Sequence, residues 1–194
     1  TSSIFYKLTN DAINSITFLG DDGVTATTWL NIANSSSYGL ELTAAHPLFD
    51  WFKLNGSASY FYTRFEQQEI VRKDNSWIAK LSGTILFSKD FNIQINANYN
   101  SPLVTAQGNI NEVFTTDFAA KKDFMDGQLS VTFRVSDIFN TRDMESETNG
   151  FNFSSTSYRK MESRVAYLGI SYRLSPGNGN KEKKPHTEDG MDEF

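Results

Sequence analysis

Strict alternation of apolar and polar residues, in a chain that has no long apolar run, is what most limits how this protein can fold. From Phe91 to Tyr99, the residues Phe91, Ile93, Ile95, Ala97 and Tyr99 alternate with Asn92, Gln94, Asn96 and Asn98. Successive side chains of a strand point to opposite faces, so the segment reads as a β-strand with one apolar and one polar side. Leu129 to Val135 repeats this, with Leu129, Val131, Phe133 and Val135 against Ser130, Thr132 and Arg134. So does Phe52 to Tyr62, where Phe52, Leu54, Gly56, Ala58, Tyr60 and Tyr62 oppose Lys53, Asn55, Ser57 and Ser59. The closing segment sets Ala166, Leu168, Ile170, Tyr172 and Leu174 against Val165, Tyr167, Gly169, Ser171 and Arg173. No stretch approaches the roughly 20 apolar residues that a membrane-crossing helix needs, so any crossing falls to strands.

Four weaker strands complete a set of eight: Ile4 to Phe18, Tyr38 to Ala44, Trp77 to Phe87 and Phe114 to Ala120. Their connections sort by length. Residues 46–50, 88–90 and 124–127 form tight turns at one end, while 20–26, 67–76, 101–112 and 140–157 form loops at the other. Outer-membrane barrels have short periplasmic turns and longer extracellular loops; a soluble sandwich has no reason to sort its connections by end. The fold expected is all-β, an antiparallel up-and-down transmembrane β-barrel. A mean hydropathy of −0.44 fits, because every second residue of such a wall faces a polar interior. The barrel strands are assigned to residues 1–174. The Gly-, Pro- and charge-rich residues 175–194 read as a disordered periplasmic tail.

The 14% aromatic content gives these strands their interface residues. Trp29, Trp51 and Trp77, with Phe49, Phe52, Phe91 and Tyr172, lie near strand ends. They read as membrane-girdle residues in preference to ordinary sheet packing or a sugar-stacking surface. The polar positions Lys53, Lys80, Asn92, Gln94, Asn96, Arg134 and Arg173, with Glu41 and Asp117, read as lumen-facing. A wet ladder of weak charge pairs is the preferred account of them, ahead of a substrate path.

Several function classes fall away. A net charge of −5 opposes nucleic-acid binding, which draws most of its affinity from basic surface. Absence of cysteine removes disulfides and thiolate metal sites. His46 sits beside a proline and His186 in the tail, with no nucleophile–base or metal-ligand spacing around them. No enzymatic activity, cofactor or metal is expected. Asp143, Glu145 and Glu147 read as a solvated run rather than a calcium site, and Gly20-Asp21-Asp22-Gly23 as a flexible loop.

Five segments in order, DAINSI, NIANSSSYGLEL, WFKLNGSASYFYT, QLSVTFRVSDIFNT and RVAYLGISYRL, resemble the C-terminal barrel segment of the TonB-dependent receptors. The likeness runs from roughly Ser3 to Leu174. Its most specific parts are VSDIFNT at Val135 to Thr141, with a lumen-facing Asp137 before the loop, and the closing strand. The resemblance implies a 22-stranded barrel with an N-terminal plug, an inner-membrane energy-coupling complex as partner, and import of an iron chelate, glycan or peptide. On that basis the chain is expected to be eight strands of a longer barrel whose plug and remaining wall lie outside it, set in outer-membrane lipid of a Gram-negative bacterium. A surface lipoprotein is a further possible partner. Two rivals are a self-contained eight-stranded outer-membrane barrel with a structural or adhesion role, and a soluble lipocalin-type binder.

Overall fold

The structure is a computed structural model, and it describes residues 1–67, 70–150 and 152–174. The expected tail, 175–194, lies outside the described residues. Twelve strands run in chain order: β1 (Ser2–Leu19), β2 (Thr25–Phe49), β3 (Phe52–Gln67), β4 (Ile70–Ser88), β5 (Phe91–Asn100), β6 (Leu103–Val104), β7 (Gly108–Ile110), β8 (Val113–Phe124), β9 (Leu129–Val135), β10 (Asp143–Asn149), β11 (Ser154–Lys160) and β12 (Ala166–Tyr172). Eight of them form one antiparallel sheet in the order β1-β2-β3-β4-β5-β8-β9-β12. No ladder joins β1 to β12 among the described residues, so the sheet is open.

The eight main strands are those read from the alternation, and β9 keeps the same limits. Others run longer. β2 begins at Thr25, inside the loop expected at 20–26, and runs through the unassigned 27–37 into the strand expected from Tyr38, and the turn expected at 46–50 contracts to Asp50-Trp51. The loop expected at 67–76 is mostly strand: β3 reaches Gln67 and β4 begins at Ile70, with 68–69 outside the described residues. The stretches 101–112 and 140–157 are not plain loops either. They hold β6–β7 and β10 with the start of β11, which assemble into a second sheet ordered β11-β10-β7-β6.

Register ties the faces together across the main sheet. One row of directly paired residues is Phe52, Ile85, Ile93, Ala120, Phe133 and Leu168. The adjacent row is Lys53, Thr84, Gln94, Ala119, Arg134 and Tyr167. A slip by one residue would invert every side chain, so a single register serves all these pairings. The result is a continuous apolar face and a continuous polar face. The apolar face is bare: Ile95 is 43% exposed and Ile170 is 70% exposed. Contiguous apolar exposure on this scale does not persist in water.

The second sheet leans back on β1. The side-chain amide of Gln107 accepts from the main-chain N–H of Thr17 at 2.8 Å and donates to its carbonyl at 3.0 Å, copying a ladder pair with one side chain. Their neighbours Ile16 and Ala106 are buried. Lower on β1, the register is irregular between Thr9 and Ile13, where Asp11 has φ of 51° and its N–H donates to Asn34 Oδ1 at 3.2 Å.

Candidate functional site

The polar face and the connection that leaves it after β9 make the candidate site. Lys53, Gln94 and Arg134 occupy the polar row described above. Asn96 pairs with Ser82 on one side and Asp117 on the other. Lys80 pairs with Ser57 and Asn98, and Asn92 with Leu86 and Lys121. Glu41, between Ser3 and Ser59, accepts a long 3.4 Å bond from Ser3 Oγ. Arg173 lies just past β12, where its N–H donates to the Gln128 carbonyl at 2.8 Å.

These side chains form loose networks. Gln94 Nε2 donates to Ser82 Oγ at 3.1 Å and to Asn96 Oδ1 at 3.0 Å. Arg134 Nη2 lies 3.5 Å from Asp117 Oδ2, a long and half-exposed pair of small energetic weight. Asn55, Lys80, Asn96, Asn98 and Asp117 line an open cavity of about 440 Å³. A second, of about 470 Å³, is lined by Thr132, Arg134, Ser136, Arg142, Tyr167 and Gly169.

Asp137 departs from the sequence reading. It is not a free lumen-facing carboxylate but is 2% exposed. After Val135 the regular ladder ends, but Ser136 N–H still donates to the Val165 carbonyl at 3.0 Å and the chain runs on along β8 in the same direction, as a turn. Asp137 N–H donates to Asp117 Oδ1 at 3.0 Å, Ile138 N–H to the Thr116 carbonyl at 2.8 Å, and Thr141 Oγ1 to the Phe114 carbonyl at 2.6 Å. Inside this turn the Asp137 carboxylate is saturated. Oδ1 accepts from the Thr141 N–H at 3.0 Å, and Oδ2 from the Arg142 N–H at 2.9 Å and Ser163 Oγ at 2.5 Å; Thr141 Oγ1, whose one proton goes to the Phe114 carbonyl, lies 3.2 Å from Oδ1. Asp137 and Asn140 both take left-handed φ, 44° and 55°. Asp and Asn tolerate that region better than most residues, which is why they occupy these places in VSDIFNT.

On the apolar face, aromatic rings gather at two levels. Near the short turns, Phe49 stacks on Trp51 at 5.4 Å, Trp51 lies 5.8 Å from Phe52, and Phe87 stacks on Phe91 at 5.4 Å. Tyr172 pairs with Leu129 at the same end. Toward the loops, Tyr38 meets Tyr62 at 5.2 Å and Trp77 meets Tyr99 at 4.4 Å, with Tyr6 and Phe114 continuing the row through their pairings. Trp29 belongs to neither level: it is on the upper part of β2, paired with Ser15, and lines a cavity beside Gln107.

One cation sits on the apolar face close to the short-turn end. Lys122, paired with Phe91, lies over the Phe124 ring at 5.9 Å and reaches the Asp90 carboxylate in the β4–β5 turn. The long stem covers apolar surface while its charge escapes to the turn. Bonds from Lys122 and Ser88 hold the Asp90 carboxyl at about 2.

Sequence reasoning missed Arg142, Tyr167 and Gln107. Arg142 and Gln107 lie in segments read as loops and carry no periodic signal; Tyr167 is placed by the alternation on the same face as Gly169 and Ser171, but nothing in the spacing singles it out as a site residue.

Comparison with known families agrees with this geometry. A model of the outer membrane protein β-barrel family matches residues 1–172. No curated protein and no solved structure matches the chain significantly. Two continuous faces of opposite polarity and a family match over nearly all the described residues agree: the chain belongs to the outer membrane protein β-barrel family and resides in the outer membrane of a Gram-negative bacterium.

Proposed function

We propose that the chain is the C-terminal wall of a large TonB-dependent receptor barrel, which captures a nutrient and admits it without bond chemistry. The observation that carries this reading is the character of the polar face. It is built largely from Ser, Thr, Asn and Gly, as in the pairings Ser57–Lys80–Asn98, Asn55–Ser82–Asn96 and Thr132–Gly169. A closed eight-stranded barrel has an interior that side chains fill. Residues this small fill it poorly, whereas they suit the wall of a wide, hydrated lumen. The open sheet leaves both β1 and β12 with an edge for further strands. The resemblance in VSDIFNT and in the closing strand supplies the family, and with it the plug and the energy-coupling partner.

The aromatic levels support the membrane orientation. Phe91 and Tyr99, or Phe52 and Tyr62, are separated by roughly 27–33 Å along a strand. At a tilt of about 40° this becomes roughly 20–25 Å, close to the apolar band of an outer-membrane barrel. Trp51, Phe91 and Tyr172 then mark the periplasmic interface, and Trp77 with Tyr99 the outer one. Trp29 stands above it.

The test is the size of the native protein extracted from outer membranes, compared by electrophoresis before and after heating. The receptor reading expects a heat-modifiable species far heavier than 21.9 kDa. A compact heat-modifiable species near that mass would overturn it and leave the self-contained barrel.

A further inference from the structure

We infer that the cavity between Arg134 and Arg142 is an oxyanion-binding subsite on the lumen wall, taking a carboxylate or phosphate group of the transported ligand. This rests on the receptor reading, in which the polar face lines the ligand's path. The cavity, of about 470 Å³, brings together two guanidinium-bearing residues with Tyr167 and Thr132, and its lining contains no carboxylate. Arg134 reaches it from β9 and Tyr167 from the directly paired position on β12. Arg142 arrives by another route: its main-chain N–H is fixed on Asp137 Oδ2, so the buried turn delivers its side chain to the same place.

The bland alternative is that the two arginines neutralise Asp137 and Asp117. The geometry speaks against it for Arg142. The Asp137 carboxylate already accepts from Thr141, Ser163 and the Arg142 main chain, so it needs no guanidinium. The Arg142 side chain makes no ion pair among the described residues. Arg134 touches Asp117 through one nitrogen at 3.5 Å, which leaves most of its donors unused. Guanidinium groups with free donors bind planar oxyanions through paired hydrogen bonds, and do so more strongly than neutral donors. Gly169 lines the cavity, and a Cβ there would meet nothing closer than the Thr132 carbonyl at 3.8 Å, so the position has room for a larger side chain that would occupy the space.

Calorimetry on the native protein purified from outer membranes, titrated separately with citrate and with inorganic phosphate, tests the assignment. The expected result is saturable binding of at least one probe, weakened about tenfold or more by Arg142→Gln and by Arg134→Gln. Gly169→Leu, which fills the cavity without altering charge, should also weaken it. Binding of citrate alone assigns a carboxylate ligand; binding of phosphate alone assigns a phosphorylated one. Retained heat-modifiability shows that each variant still folds. The subsite is excluded if neither probe binds saturably, or if Arg142→Gln and Gly169→Leu both bind as the parent does. A large barrel that fails to bind leaves the receptor reading standing, because size and binding are read separately.

Discussion

Replacing Ile95 with Arg should cost about 2–4 kcal/mol of folding stability in a bilayer, while the same replacement at Asn96 should cost little. The two positions are adjacent on β5, and both are paired on either side, to Gly83 and Phe118 and to Ser82 and Asp117 respectively. Backbone propensity and strand environment are thus nearly matched, and the difference between the variants isolates the face. Ile95 lies midway between Phe91 and Tyr99, at the depth where a lipid-facing charge costs most. At Asn96 the new guanidinium would meet Asp117 and water. Urea titration of folding into lipid vesicles measures both. Equal losses would mean that the two faces share one environment, which would contradict the assignment of the apolar side to lipid.

Asp137→Ala should release the turn that follows β9. The substitution deprives the buried Ser163 hydroxyl and the N–H groups of Thr141 and Arg142 of their acceptor. Bonds to a charged acceptor contribute about 1.5–3 kcal/mol each, though not additively, and Ala at the left-handed φ adds about 1–2 kcal/mol of strain. A loss of about 3 kcal/mol or more in local stability is therefore expected, concentrated at 136–142 and 163. Hydrogen exchange should show the amides of Thr141 and Arg142 losing protection while those of β5 keep theirs. Asp137→Asn retains one acceptor oxygen and should fall between. Unchanged protection at Thr141 and Arg142 in the Ala variant would show that the turn is held by its main-chain bonds alone.

What the sequence disclosed follows from where a periodic signal exists. Between the two aromatic levels each strand has lipid on one side and polar lumen on the other, so alternation marks β5 and β9 almost residue by residue. Above the outer level both faces of a strand meet water and the signal fades. The upper part of β2, rich in Thr and Ser, therefore carries no strand assignment over 27–37, and β10 with the start of β11 reads as loop, since DMESETN and SSTSYRK show no apolar face. The turn expected at 46–50 is narrower in the structure, where Pro47 still pairs with Lys53 beside an irregular step in the ladder. Asp137 is a different case. Its lumen-facing reading comes with the resemblance, whereas the parity of β9 would set it beside Val135 on the apolar side; the irregular turn after Val135 buries it instead. The long polar row Lys53–Gln94–Arg134 was legible residue by residue, but its lateral alignment depends on registers that no single strand encodes.

The most direct test of the account is to ask which side of β5 touches lipid. Because the chain has no native cysteine, single cysteines can be placed from Phe91 to Tyr99 without background. Each is labelled with a fluorophore in the folded, membrane-inserted protein and challenged with brominated lipid and with an aqueous quencher. The account predicts a period of two, with positions 91, 93, 95, 97 and 99 quenched by lipid and 92, 94, 96 and 98 quenched from water. A reversed or absent alternation would contradict it.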